Sequence, residues 1–161
     1  MILCLTRHAK SDWSTPELND IDRPLNKRGY SDAPMMGKRL KERGIIPDMI
    51  LSSTAVRAYT TARIVSQELE YPVKKIVLRE ELYDTSAEIY TRVLKEYVNS
   101  STILLFGHNP TITTLANELG DLHTDNVPTT GMAAFEFTSG DAFLRGEKGK
   151  LLFYDYPKRK L

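Results

Sequence analysis

Four side chains with the chemistry of an anion site fall at matching points of this chain. Arg7 and His8 follow the apolar run 2–6, Arg57 comes shortly after the run 49–52, and His108 closes the run 102–107. If those runs are neighbouring strands, two guanidinium groups and two imidazoles converge. Such a cluster suits a tetrahedral dianion, because each arginine fork can take two of its oxygens and keeps its charge at any working pH. Transfer of a phosphoryl group needs positioning and charge neutralisation above all, which arginines supply without a metal. It also needs a nucleophile. An imidazole whose ordinary pKa is about 6.5 keeps a free ring nitrogen at neutral pH, and either His8 or His108 fits that role. Singly each histidine is a weak signal, since a histidine beside a strand end is commonly structural; the four residues together are far more specific.

The elements that must position them can be read from periodicity. Short apolar, β-branched runs at 2–6, 49–52, 75–78, 102–107, 133–137 and 151–154 read as strands. Helical spacing over 26–43, 54–69, 85–97 and 110–119 separates or follows the first four. This alternation predicts an α/β fold, a three-layer α/β/α sandwich with a mostly parallel central sheet, in which ligands collect outside the carboxyl ends of the strands. Thr85 with Glu88 matches a capping box, and Asn109 before Pro110 supplies a cap followed by a helix-starting proline. Gly44 and Pro47 end the first helix, while Pro34 inside it predicts a kink or a late start. Segment 138–150, rich in glycine and charge, reads as a loop or short irregular helix.

Composition narrows the class. The 161 residues suit one domain spanning 1–161, and no segment is long and apolar enough to cross a bilayer. Lys plus Arg (22) nearly cancels Asp plus Glu (21), so no global field favours nucleic acid, and any anion site must be local. Cys4, the single cysteine, sits between Leu3 and Leu5 and reads as a buried core thiol, which fits a reducing cytoplasm. Lys158, Arg159 and Lys160 read as a solvated tail, and His123, between Asp121 and Asp125, as a surface loop residue rather than a metal ligand.

Several segments resemble the histidine phosphatase superfamily, and within it the short SixA-like phosphohistidine phosphatases. They are Arg7-His8-Ala9-Lys10-Ser11-Asp12-Trp13, Asp22-Arg23-Pro24-Leu25-Asn26-Lys27-Arg28-Gly29, Leu51-Ser52-Ser53 with Val56-Arg57-Ala58, Leu82-Tyr83 and Gly107-His108-Asn109-Pro110. The resemblance runs nearly end to end. It implies a phosphoglycerate mutase-like fold, His8 as the nucleophile, Arg7 and Arg57 as the phosphate clamp, His108 completing the pocket, and no metal or other cofactor. Ala9 stands where the broader superfamily has glycine, and Lys10 where mutases have glutamate, which makes a mutase less fitting. Larger relatives carry a general acid after the third strand; here Glu80 is the favoured position, with Glu81 beside it, against the plainer reading of exposed or Arg79-paired carboxylates.

Around this set, Ser14, Arg23, Asn109 and Thr130 are candidates for substrate contact. Arg23 either lines the pocket mouth or pairs with Asp20 or Asp22. Thr129, Thr130 and Gly131 either approach the phosphate or form a turn before a strand. Trp13 either caps the site or packs beside it. The expected activity is two-step phosphate hydrolysis through a phosphohistidine intermediate, by a monomer acting on phosphohistidine of a signalling phosphotransfer protein. The rivals are a phosphomonoesterase for sugar or nucleotide phosphates, a phosphoglycerate-type mutase, and a phosphoprotein-binding module without turnover.

Overall fold

In the computed structural model, residues 1–160 are described. Six strands form one sheet: β1 (Ile2–Arg7), β2 (Met49–Ser53), β3 (Val77–Arg79), β4 (Thr102–Gly107), β5 (Met132–Glu136) and β6 (Lys150–Asp155), in the order β3-β2-β4-β1-β5-β6. β1 pairs in parallel with β4, and β2 with both β4 and β3, while β5 runs antiparallel between β1 and β6. The sheet is thus mostly parallel, as the alternation predicted.

Strand alternation divides two cores. Leu3, Leu5, Leu51, Ile103 and Leu105 point to one face, where they meet α3 (Ala87–Lys95) and α4 (Thr111–Leu119) through Val93, Leu94, Ile112 and Leu115. Cys4, Ile50, Leu104 and Phe106 point to the other, against α1 (Lys27–Glu42) and α2 (Val56–Glu68) through Met36, Leu40, Ala62 and Val65. Continuous apolar strands buried on both faces are what a parallel sheet covered by helices requires. Cys4 is fully buried, and burial pushes its thiol up to about 12, so it is an inert core group.

Helix boundaries show where local signals compete. Asn26 caps α1 by accepting from the Gly29 amide at 2.9 Å. Pro34 lies inside α1, which continues through it because Ala33, Met36 and Leu40 bury one apolar stripe, and that packing outweighs one forfeited backbone bond. The cap of α3 is Ser86, not Thr85: Ser86 accepts from the Ile89 amide, while the Thr85 carbonyl is taken by the Thr111 hydroxyl. Before α4, the Asn109 side chain accepts from the Thr113 amide and hydroxyl at 3.2 and 2.9 Å, although the helix proper begins at Thr111 after a cis Asn109–Pro110 bond. Segment 138–150 contains a one-turn helix, α5 (Gly140–Leu144), capped by Ser139.

Candidate active site

β1 and β4 are adjacent, with Arg7 opposite Gly107 in register. The His8 amide donates to the Gly107 carbonyl at 3.0 Å, so the two chains leave the sheet side by side and place the His8 and His108 rings 5.1 Å apart. β2 flanks β4 on its other side; Ser53 ends it and Arg57 stands in the first turn of α2. Arg7, His8, Arg57 and His108 line one cleft of about 390 Å³ together with Asp20, Tyr83, Asp84 and Asn109.

The hydrogen bonds fix both imidazoles. His8 Nδ1 lies 2.7 Å from the Ala9 carbonyl, which can only accept, so Nδ1 carries the proton and Nε2 keeps its lone pair. That lone pair receives Arg57 Nε at 3.3 Å. Arg57 Nη2, which can only donate, lies 3.5 Å from His108 Nδ1, so that nitrogen is unprotonated and Nε2 donates to Ser53 Oγ at 2.8 Å. Behind His108, the buried Tyr90 hydroxyl accepts its backbone amide at 3.1 Å and donates to the Leu82 carbonyl at 2.7 Å. Gly107 is required here, since a Cβ would stand 2.8 Å from the Tyr90 ring. Behind His8, Thr61 accepts the Ala9 amide at 3.0 Å and donates to the Arg57 carbonyl at 2.7 Å, tying the nucleophile loop to α2.

Arg7 is aimed by the loop before β5. Its Nη1 donates to the Val127 carbonyl at 2.9 Å, and its backbone carbonyl accepts from Thr130. Among the described residues its buried Nε has no partner, nor does the Thr130 hydroxyl. An unpaired buried donor next to a cationic cleft is a ready contact for an anion. Thr130 itself adopts a left-handed φ of 61°, and its amide bonds to the carbonyls of both Arg7 and His8 at 3.1 Å. Its backbone therefore braces the nucleophile.

Electrostatics follow from burial among cations. Burial, opposed by the Ala9 carbonyl and reinforced by His108, Arg57 and Arg7, holds His8 down at about 3. Burial and then Arg57 hold His108 at about 4. Both rings are neutral at physiological pH. Asp20 is held below its ordinary range, first by the Tyr83 hydroxyl and then by Arg57, and in return Tyr83 is raised by Asp20.

Several expected residues land elsewhere. Glu80 is exposed and does not line the cleft, because the 3-10 turn Glu80–Leu82 buries Leu82 and swings Tyr83 and Asp84 toward the pocket instead. Glu81 pairs with Arg79, whose guanidinium also holds Glu96, and this pairing lowers Glu81 to about 2. Ser14 is exposed and only its amide is engaged, by Asp12. Arg23 is buried, stacked 3.3 Å over the Trp13 ring and hydrogen-bonded to Asp20, which is the ion-pair alternative; it does not itself line the cleft. Asn109 lines the cleft, while its amide holds Asn126 and Val127. Asp20, Tyr83 and Ser53 carry contacts that residue type alone did not assign, although the latter two lie in segments already singled out. His123 is exposed, and among the described residues no group of three or more His, Cys, Asp or Glu is placed to hold a metal ion.

Residues 3–96, more than half of the chain, match the family profile of the histidine phosphatase superfamily (branch 1). An uncharacterized protein of Mycobacterium tuberculosis is 31% identical over 141 residues, covering 86% of this chain and 85% of that protein. An uncharacterized chloroplastic protein of Arabidopsis thaliana is 32% identical over 116 residues, but the match spans only 53% of its length. Among solved structures, a candidate phosphohistidine phosphatase SixA from Agrobacterium tumefaciens superposes with a TM-score of 0.82 at 28% identity, covering 97% of both chains. The protein histidine phosphatase SixA complexed with tungstate gives 0.83 at 22% identity, covering 98% of this chain and 97% of that one, a likeness of fold. By fold and by sequence, the chain belongs to the histidine phosphatase superfamily, has its SixA-like α/β form, and is a phosphatase.

Proposed function

We propose that the chain, as a single catalytic domain, hydrolyses phosphohistidine on a signalling phosphotransfer protein through a phosphoenzyme formed on His8. The observation that carries this reading is the unprotonated Nε2 of His8, held in a neutral ring and facing the anion-binding edge of Arg57. In the first step Nε2 attacks phosphorus and the bond to the leaving imidazole breaks, its electron pair going to the leaving nitrogen. An imidazole protonated at its other nitrogen departs neutral, so this step asks for no general acid. In the second step water cleaves the P–Nε2 bond and His8 recovers its lone pair. Arg7 and Arg57 neutralise the transferring group in both steps, and a bound dianion draws a proton onto His108 Nδ1, making it a third donor.

The preference for a protein substrate is supported by likeness to SixA proteins and by the half-exposed rim of the cleft, where Tyr83 and Asp20 stand within reach of solvent. No helix of the described residues is long and apolar enough to cross a membrane, and the nearly balanced charge supports neither a nucleic-acid nor a lipid partner. A cytoplasmic, metal-independent monomer fits this picture.

Rapid mixing with 32P-labelled phosphohistidine peptide, followed by an alkaline quench, tests it. Acid-labile label on His8 is expected, absent from His8→Asn, with turnover on the peptide exceeding that on sugar phosphates. Label on no histidine overturns the reaction, and the reverse substrate order overturns the substrate.

A further inference from the structure

Asp20 is a carboxylate that the reading above leaves without work. It opens the 3-10 turn Asp20–Asp22 and lines the cleft with the four basic residues. Its Oδ2 accepts Arg57 Nη2 at 2.9 Å and the Tyr83 hydroxyl at 2.6 Å, its Oδ1 accepts Arg23, and its backbone carbonyl accepts Arg57 Nη1 at 2.6 Å. Arg23 is in turn fixed by its stack on Trp13. Arg57 therefore places His8 Nε2 on its Nε and Asp20 Oδ2 on the neighbouring Nη2, two adjacent corners of one planar group.

We propose, resting on the two-step reading, that Asp20 is the general base that activates water for hydrolysis of phospho-His8. Nε2 sits on the floor of the cleft, His8 being only 8% exposed, whereas the Asp20 side chain is 49% exposed at the mouth. In-line displacement at phosphorus requires water to approach from the side opposite the leaving Nε2, which is the mouth. When phosphoryl oxygens occupy Arg57 Nη2, Oδ2 is released from that contact and remains held by Tyr83. The water oxygen then bonds to phosphorus, one water proton passes to Asp20, and the P–Nε2 bond breaks with its pair returning to Nε2. Asp20 afterwards gives the proton to the departing phosphate or to solvent. Three donors on the carboxylate favour its ionised form, which suits a base rather than an acid. The other cleft carboxylate, Asp84, is exposed and has no charged partner among the described residues.

Pre-steady-state hydrolysis of p-nitrophenyl phosphate separates the two steps, because its phenolate leaves without a proton. With Asp20→Asn the first turnover should keep close to the parent rate, while steady turnover falls by about 10²-fold or more. Labelled phosphohistidine should then accumulate to nearly one per chain. Asp20→Glu should recover much of the steady rate. Equal loss in both phases would make Asp20 a support for Arg57 only, and an unchanged or faster steady rate would make it merely a competitor for the arginine; either overturns the proposal. So does the same pattern in Asp84→Asn instead. Failure of both parent and Asp20→Asn to label His8 would instead remove the two-step reaction itself.

Discussion

Arg57 Nε donates to His8 Nε2 at 3.3 Å, so the residue that must bind the phosphate also holds the attacking nitrogen. The remaining donors of the same guanidinium reach Asp20 and His108. A lysine supplies one point charge and cannot span these partners. Arg57→Lys is expected to lower kcat/KM by about 10²- to 10³-fold with the fold intact, measured by steady-state kinetics beside circular dichroism.

The buried histidines set an acid limit on stability. His8 and His108 titrate at about 3 and about 4 in the folded chain, and at about 6.5 when unfolded. Between those values the unfolded chain binds more protons, so stability is fully present above pH 6.5 and is lost as pH falls. The loss is up to about 1.4 kcal/mol per pH unit for each ring. Urea midpoints should decline from pH 6.5 to pH 4, and His108→Gln should flatten that decline.

Tyr90 joins the core to the site. Its hydroxyl satisfies the buried amide of His108 and the buried carbonyl of Leu82. Tyr90→Phe leaves both without that partner, and a loss of about 2 kcal/mol in urea unfolding is expected. Because His108 is also loosened, kcat should fall more than KM rises.

At the far edge of α1, Arg39 and Arg43 hold the buried Asp155 at 3.0 and 2.9 Å and clamp β6 to that helix. Asp155→Ala removes the shared acceptor from two partly exposed arginines. Destabilisation of about 2 to 3 kcal/mol is expected, with kcat unchanged, since none of these residues lines the cleft.

Charge neutralisation here is assigned to Arg7 and Arg57. Prolonged chelation with EDTA should therefore leave phosphatase turnover at the parent level, and restoration of lost activity by a divalent metal would contradict that assignment.

Reading the chain alone was enough to fix which strands exist, the mostly parallel arrangement of the sheet and the four basic residues at the carboxyl ends of its parallel strands. The apolar runs carry a strong local pattern, and a parallel sheet forces strand ends to one edge. Cys4 as a core thiol and His123 on the surface were legible for the same reason: each depends on near neighbours. Boundaries failed where distant groups intervened, as when the Thr111 hydroxyl took the Thr85 carbonyl and Ser86 became the cap.

Only the tertiary structure chose the carboxylate of the site. Counting along the chain favoured Glu80, but the burial of Leu82 rotates Glu80 into solvent, and the 3-10 turn at Asp20, far away in sequence, swings a different carboxylate onto Arg57. Tautomers were likewise decided in three dimensions, by the Ala9 carbonyl at His8 and the Arg57 guanidinium at His108. Residue types announce which chemistry is available; which nitrogen holds a proton, and which anion faces it, depends on partners that only the packed fold brings within hydrogen-bond reach.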